Sequence, residues 1–186
     1  MKKIFIAFFL MQAGFGFSQN DPSNILAFRS INQFGLQSGA SGLGLQVHSV
    51  NGVKLKSYFA GLGVGIDNYV ERTFPVYLDV RKSFLKGENM VLYADGGVSI
   101  PAAKAEEFGK FDYKQGGYYE AGVGYNVKLN KTFTMLFSAG YSIKQFSYKE
   151  YPIYLMYISI WPTPNTSAQE LDYTLRRISV KVGLSF

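Results

Sequence analysis

Apolar positions recur at every second residue along most of this chain. "GLGLQVHSV" sets Leu43, Leu45 and Val47 against Gln46 and His48. "SYFAGLGVGID" puts Tyr58, Ala60, Leu62, Val64 and Ile66 on one face, and "TFPVYLDVRKSF" puts Phe74, Val76, Leu78 and Val80 against Tyr77, Asp79 and Arg81. "MVLYADGGVSI", "YYEAGVGYNVKL" and "TFTMLFSAGYSI" repeat the pattern. So does the end of the chain, where Ile178, Val180, Val182, Leu184 and Phe186 alternate with Arg177, Ser179, Lys181, Gly183 and Ser185. A period of two is the signature of a β-strand with two unlike faces. Beyond the first 18 residues no stretch of a dozen keeps an apolar stripe at helical spacing.

The connections between these segments predict a topology. Short ones carry turn chemistry: Asn51-Gly52, "KGEN" at 86–89 and Asn130-Lys131, where Gly and Asn tolerate the positive φ of hairpin turns. Longer ones span 67–72, 101–116 and 149–172. Short and long alternate, as in an up-and-down barrel with tight turns at one end and loops at the other. Seven strands are plain. An even barrel needs an eighth, for which "NILAFRSINQFGL" (24–36) is the candidate, with "QSGASG" as the first loop. The expectation is an all-β, eight-stranded antiparallel up-and-down transmembrane β-barrel.

A barrel in water shows the same alternation with its faces reversed, so the composition of the polar row decides. It holds Gly61, Gly63, Gly65, Gly97, Ser99, Gly122, Gly124, Ser138 and Gly140. These small residues suit the inside of a narrow barrel. Tyr and Phe, 14 and 16 in 186 residues, fit the aromatic girdles of a membrane barrel.

The start of the chain adds a location. "MKKIFIAFFLMQAGFGFSQ" has two lysines, an apolar run from Ile4 to Met11, and small residues Gly16 and Ser18 before a cut at Gln19. This reads as a secretory signal peptide over 1–18, leaving 19–186 as one barrel domain. Loss of Lys2 and Lys3 lowers the formal charge from +6 to +4, too little and too scattered to indicate nucleic acid. There is no cysteine, hence no lipoprotein acylation site.

Little catalytic chemistry is legible. "GLGVG" lacks the following helix that a phosphate-binding glycine loop needs. His48 is the only histidine. On the lumen row, with no serine placed beside it by a motif, it predicts a hydrogen-bonding role. With no cysteine, a zinc site of the usual kind is not expected. No enzyme activity, cofactor or metal is expected. The inner row carries charges: Asp79, Asp95 and Glu120 with Arg81, Arg177 and Lys181, and Arg29 beside them. Buried charges must be paired or hydrated, which predicts an interlocking salt-bridge plug. Two alternatives are a narrow passage for ions or small apolar solutes and a membrane-embedded lipid-modifying enzyme.

The signal peptide, the alternating strands and the terminal aromatic of "VKVGLSF" together resemble small outer-membrane β-barrel proteins. "VNGVKLKSYFAGLGVGIDNY" and "TFPVYLDVRKSFL" resemble the OmpX/OmpA-type barrels common in Bacteroidota. The resemblance implies the outer membrane of a Gram-negative bacterium, contact with lipid and lipopolysaccharide, and a structural or loop-mediated interaction role with an extracellular or envelope partner. It also implies that Phe186 is the signal read by the barrel-assembly machinery. The segment 148–170 is unusually apolar for an outer loop, with Tyr154, Tyr157, Ile158, Ile160 and Trp161, the only Trp. Such density marks either an interaction site or an extension of the preceding strand.

Overall fold

The computed structural model describes residues 26–85, 87–102, 111–130, 132–150 and 169–186. The signal-peptide segment 1–18 and the residues Tyr154, Tyr157, Ile158, Ile160 and Trp161 lie outside them. Within them the strands are β1 (Leu26–Gly39), β2 (Gly42–Leu55), β3 (Tyr58–Asp67), β4 (Thr73–Phe84), β5 (Met90–Pro101), β6 (Phe111–Lys114), β7 (Gly116–Lys128), β8 (Thr134–Glu150) and β9 (Gln169–Ser185). β6 and β7 are two parts of one strand, interrupted at Gln115, and both pair with β8. Every pairing is antiparallel and joins neighbours in sequence, and β9 closes on β1. The result is a closed eight-stranded up-and-down β-barrel.

Closure depends on the last strand. Ile31 to Gly39 of β1 pair with Ser185 to Arg177 of β9. Ser30 and Phe186 then exchange both backbone hydrogen bonds, at 2.8 and 3.0 Å. The Phe186 ring lies 6.1 Å from that of Phe133 in the neighbouring turn. A closed sheet leaves no row of unpaired N–H and C=O groups, which is why the alternation persists to the final residue.

The observed connections differ from the sequence reading: Phe111–Lys114 of the expected loop 101–116 and Gln169–Asp172 of the expected loop 149–172 are strand, and two turns also differ. Asn51 and Gly52 lie inside β2, opposite Ser30 and Arg29 of β1. The chain turns instead at Lys56-Ser57, where Lys56 takes a φ of 54°. β1 starts near the expected position but runs on to Gly39. Most of "QSGASG" is therefore strand, and only Ala40 and Ser41 form the turn. At the far end β8 and β9 pair from Thr134↔Ser185 to Glu150↔Gln169. This 17-residue ladder outruns the 9–11 residues that a tilted strand needs to cross a bilayer. Phe146 and Tyr173 stack across it at 5.4 Å.

The two faces have opposite character to those of a protein folded in water. Leu62, Leu78, Val80, Ile178 and Val180 point outward and are each more than half exposed. The residues between them point inward and are buried, including Asp79, Arg81, Asp95, Glu120, Arg177 and Lys181.

Candidate functional site: the packed lumen

All six charged residues expected on the inner row are brought together inside the barrel, at exposures of 5 % or less. Asp79 and Asp95 are cross-strand partners, as are Asp95 and Glu120, so β4, β5 and β7 present three acids side by side. Arg81 reaches back along its own strand, and its Nε donates to both Asp79 carboxylate oxygens at 2.8 and 2.9 Å. Its Nη2 donates to Gln33 Oε1 at 3.2 Å, tying β4 to β1 across the interior. Lys181 Nζ lies 2.7 Å from Glu120 Oε1 and 3.9 Å from Asp95 Oδ2. Glu120 also accepts hydrogen bonds from the hydroxyls of Tyr93, Tyr118 and Ser179, at 2.7, 2.8 and 2.6 Å. A carboxylate with this many donors has its charge well compensated despite full burial.

Arg177 belongs to a second cluster that sequence reasoning missed. It pairs with Asp67 at the end of β3, and its Nη2 donates to Ser142 Oγ at 2.6 Å. Lys144 approaches the same Asp67 at 3.4 Å. Its ammonium also donates to the backbone carbonyls of Tyr69 and Glu71, at 2.9 and 3.1 Å. These bonds pull the β3–β4 connection inward. Tyr69 is thereby only 2 % exposed, its backbone N–H donates to Asp67 at 2.9 Å, and its hydroxyl accepts from Ser41 N at 2.9 Å. The Arg177 guanidinium lies 5.4 Å from its ring centroid. Tyr69 thus caps the lumen at the long-loop end. The next residue, Val70, takes a φ of 62°, a region that β-branched residues rarely enter and that costs energy to hold.

An aromatic layer separates the clusters. Along β4, Tyr77 stands between Thr73, the partner of Asp67, and Asp79. Its ring centroid is 5.2 Å from that of Tyr118 and 5.4 Å from that of His48. His48 Nδ1 and the Tyr77 hydroxyl share a hydrogen bond at 2.6 Å. The histidine thus sits in a packed aromatic group, in the hydrogen-bonding role expected of it. Gly63 and Gly97 flank Tyr77 on either strand. A Cβ on Gly63 would collide with the tyrosine ring, so this glycine is the space the ring occupies. At the short-turn end Ile31, Val50, Phe59 and Leu136 join Tyr77 and Tyr118 in one apolar cluster. The inner row is therefore not merely small and polar. Alternation alone put Tyr77 on this row; what the glycines opposite it show is the space its ring fills.

The site is thus a column: an apolar floor, a charged layer, an aromatic layer, a second charged layer and a tyrosine cap. Its described acids Asp67, Asp79, Asp95 and Glu120 are matched in number by Arg81, Lys144, Arg177 and Lys181. The arrangement defines a class, a small closed β-barrel with apolar outside and charged inside. No protein-family model matches the chain, and no curated protein matches it. Two solved structures are similar in outline. One, from work on the de novo design of transmembrane β-barrels, is 11% identical with a TM-score of 0.44, over 85% of this chain and 93% of that one. The other is the outer membrane protein AlkL in DMPC bilayers, 10% identical with a TM-score of 0.46, over 87% of each chain. Likenesses of this strength carry no statement about task.

Proposed function

We propose that this chain is an outer-membrane β-barrel of a Gram-negative bacterium, with a plugged lumen and a structural or loop-mediated interaction role. The observation that supports it is the inverted polarity of the wall. A continuous belt that includes Leu62, Leu78, Val80 and Ile178 faces outward, far beyond the apolar patches that monomers in water expose. Hydrocarbon is the solvent that matches such a belt, and a closed barrel is the only sheet that satisfies every backbone group there. The signal-peptide character of 1–18 agrees with export. Phe186, paired into the closing seam, suits a role as the assembly signal.

The plug follows from the column of side chains. Eight strands enclose little more than side chains can fill, and here those side chains bond to one another from β1 to β9. Nothing in this reading requires catalysis, a cofactor or a metal, and His48 is occupied with Tyr77. What remains to meet a partner or lipopolysaccharide is the long-loop end. Reconstitution of the purified barrel into planar bilayers tests the plug. The expected result is folded, heat-modifiable protein without resolved channel openings. Steady openings of the wild-type protein would instead favour the passage for ions or small solutes.

A further inference from the structure

The short-turn end of the barrel carries a charge imbalance. Among the described residues there, Arg29, Lys54, Lys56, Lys82 and Lys128 are basic and Glu88 alone is acidic. At the long-loop end the described segments carry charges of both signs, among them Glu71, Arg72, Lys114, Asp172 and Arg176. Arg29, Lys54, Glu88 and Lys128 line the lumen mouth, where Glu88 pairs with Lys54, which leaves Lys56 and Lys82 on the rim.

The position of these cations relative to the apolar belt indicates what they meet. Lys82 follows Val80 on the outward row, the first charged residue past the belt. Its cross-strand partner is Tyr58, whose ring it overlies at 5.2 Å and which is 52 % exposed. Phe133 and Phe186, 43 % and 39 % exposed, continue the aromatic ring near this edge. Exposed aromatics mark the depth of lipid headgroups, and long basic side chains just beyond them reach the phosphates. Lys56, in the turn after β2, is exposed at the same end, whereas Lys128 stands on the inward row of β7 at the lumen mouth.

Resting on the membrane reading above, we infer that this rim binds anionic phospholipid headgroups, through charge pairing of Lys56 and Lys82 with their phosphodiesters. A basic residue near an anionic leaflet contributes roughly fivefold to partitioning at physiological salt, so the two together form a headgroup-selective edge. Among the described residues the opposite edge has no such excess.

Spin-labelled phosphatidylglycerol and phosphatidylcholine, added to barrels reconstituted in phosphatidylcholine, test this. The wild-type barrel should retain phosphatidylglycerol preferentially at its surface. Lys56→Gln/Lys82→Gln should fold normally and lose the preference, as should the wild type at high salt. Arg72→Gln/Lys114→Gln/Arg176→Gln, altered at the other end, should keep it, and millimolar inorganic phosphate should not compete. Persistence of the preference in the lysine variant, or equal loss in both variants, would overturn the proposal. Effective competition by free phosphate would show a simple anion site and overturn it too. Failure of the wild type to insert even into neutral bilayers would refute the membrane reading itself.

Discussion

The two charged layers of the lumen are built differently. At the long-loop end a single acid, Asp67, serves two cations, Arg177 and Lys144. Deeper in the barrel three acids, Asp79, Asp95 and Glu120, share Arg81 and Lys181. Each layer alone is unbalanced, in opposite senses, and the balance is reached only over the whole column. The upper layer economises on acids because backbone carbonyls of the β3–β4 connection take up the remaining Lys144 protons. The lower layer tolerates an extra acid because Tyr93, Tyr118 and Ser179 donate to Glu120. In a lumen this narrow, neutral donors and acceptors take the place of counter-ions wherever the charges do not match.

That contrast makes the effects of substitution unequal. The largest belongs to Asp67→Asn, which removes the carboxylate that two buried cations share. Breaking a buried pair in this way costs about 3–5 kcal/mol. It should appear as a lower urea midpoint in detergent, and the Tyr69 cap should become accessible to protease. Arg81→Ala comes next. It strips Asp79 of its partner while Asp95 and Glu120 stand beside it, at a cost of about 3 kcal/mol. Thermal stability in detergent should fall while assembly survives. Unchanged stability with a sharp rise in bilayer conductance would mean that the lumen is not packed by these pairs. The smallest effect belongs to Asp95→Asn. Neither carboxylate oxygen of Asp95 has a hydrogen-bond partner among the described residues, and it lies between two other acids. The substitution should change stability by less than about 1 kcal/mol, or raise it, in the same urea titration. A loss as large as that of Asp67→Asn would show that the lower layer needs all three charges.

The wall of the barrel was legible in the sequence because alternation is a local property. Leu78 beside Asp79 already states which way each points, and the six charges of the inner row followed from parity. What was not legible depends on register. Asn51-Gly52 has the composition of a hairpin turn, yet Gly52 lies in a strand opposite Gly61, where a Cβ would meet the backbone of Ala60 and Gly61. A glycine needed for close approach and one needed for a turn look alike in sequence. The upper layer was missed for a similar reason. Asp67 stands at a strand end that read as loop, and its partner Lys144 is 77 residues away. Only closure of the barrel brings β3 to face β8 and β9 across the lumen. The floor of Ile31, Phe59 and Leu136 broke the rule that inward positions are small or polar. Each stands where the lumen must be filled rather than charged.

Inverted polarity around a packed interior is the claim on which the rest depends, and collision of nitroxide labels with oxygen and with a water-soluble nickel complex tests it most directly. The chain has no cysteine, so single labels can be placed at positions 76, 77, 78 and 80 of β4 in reconstituted protein. Labels at Val76, Leu78 and Val80 should collide readily with oxygen and little with nickel, as in hydrocarbon. A label at Tyr77 should be protected from both. Nickel access at Leu78 would place the outer face in water, and nickel access at Tyr77 would mean an open, water-filled lumen.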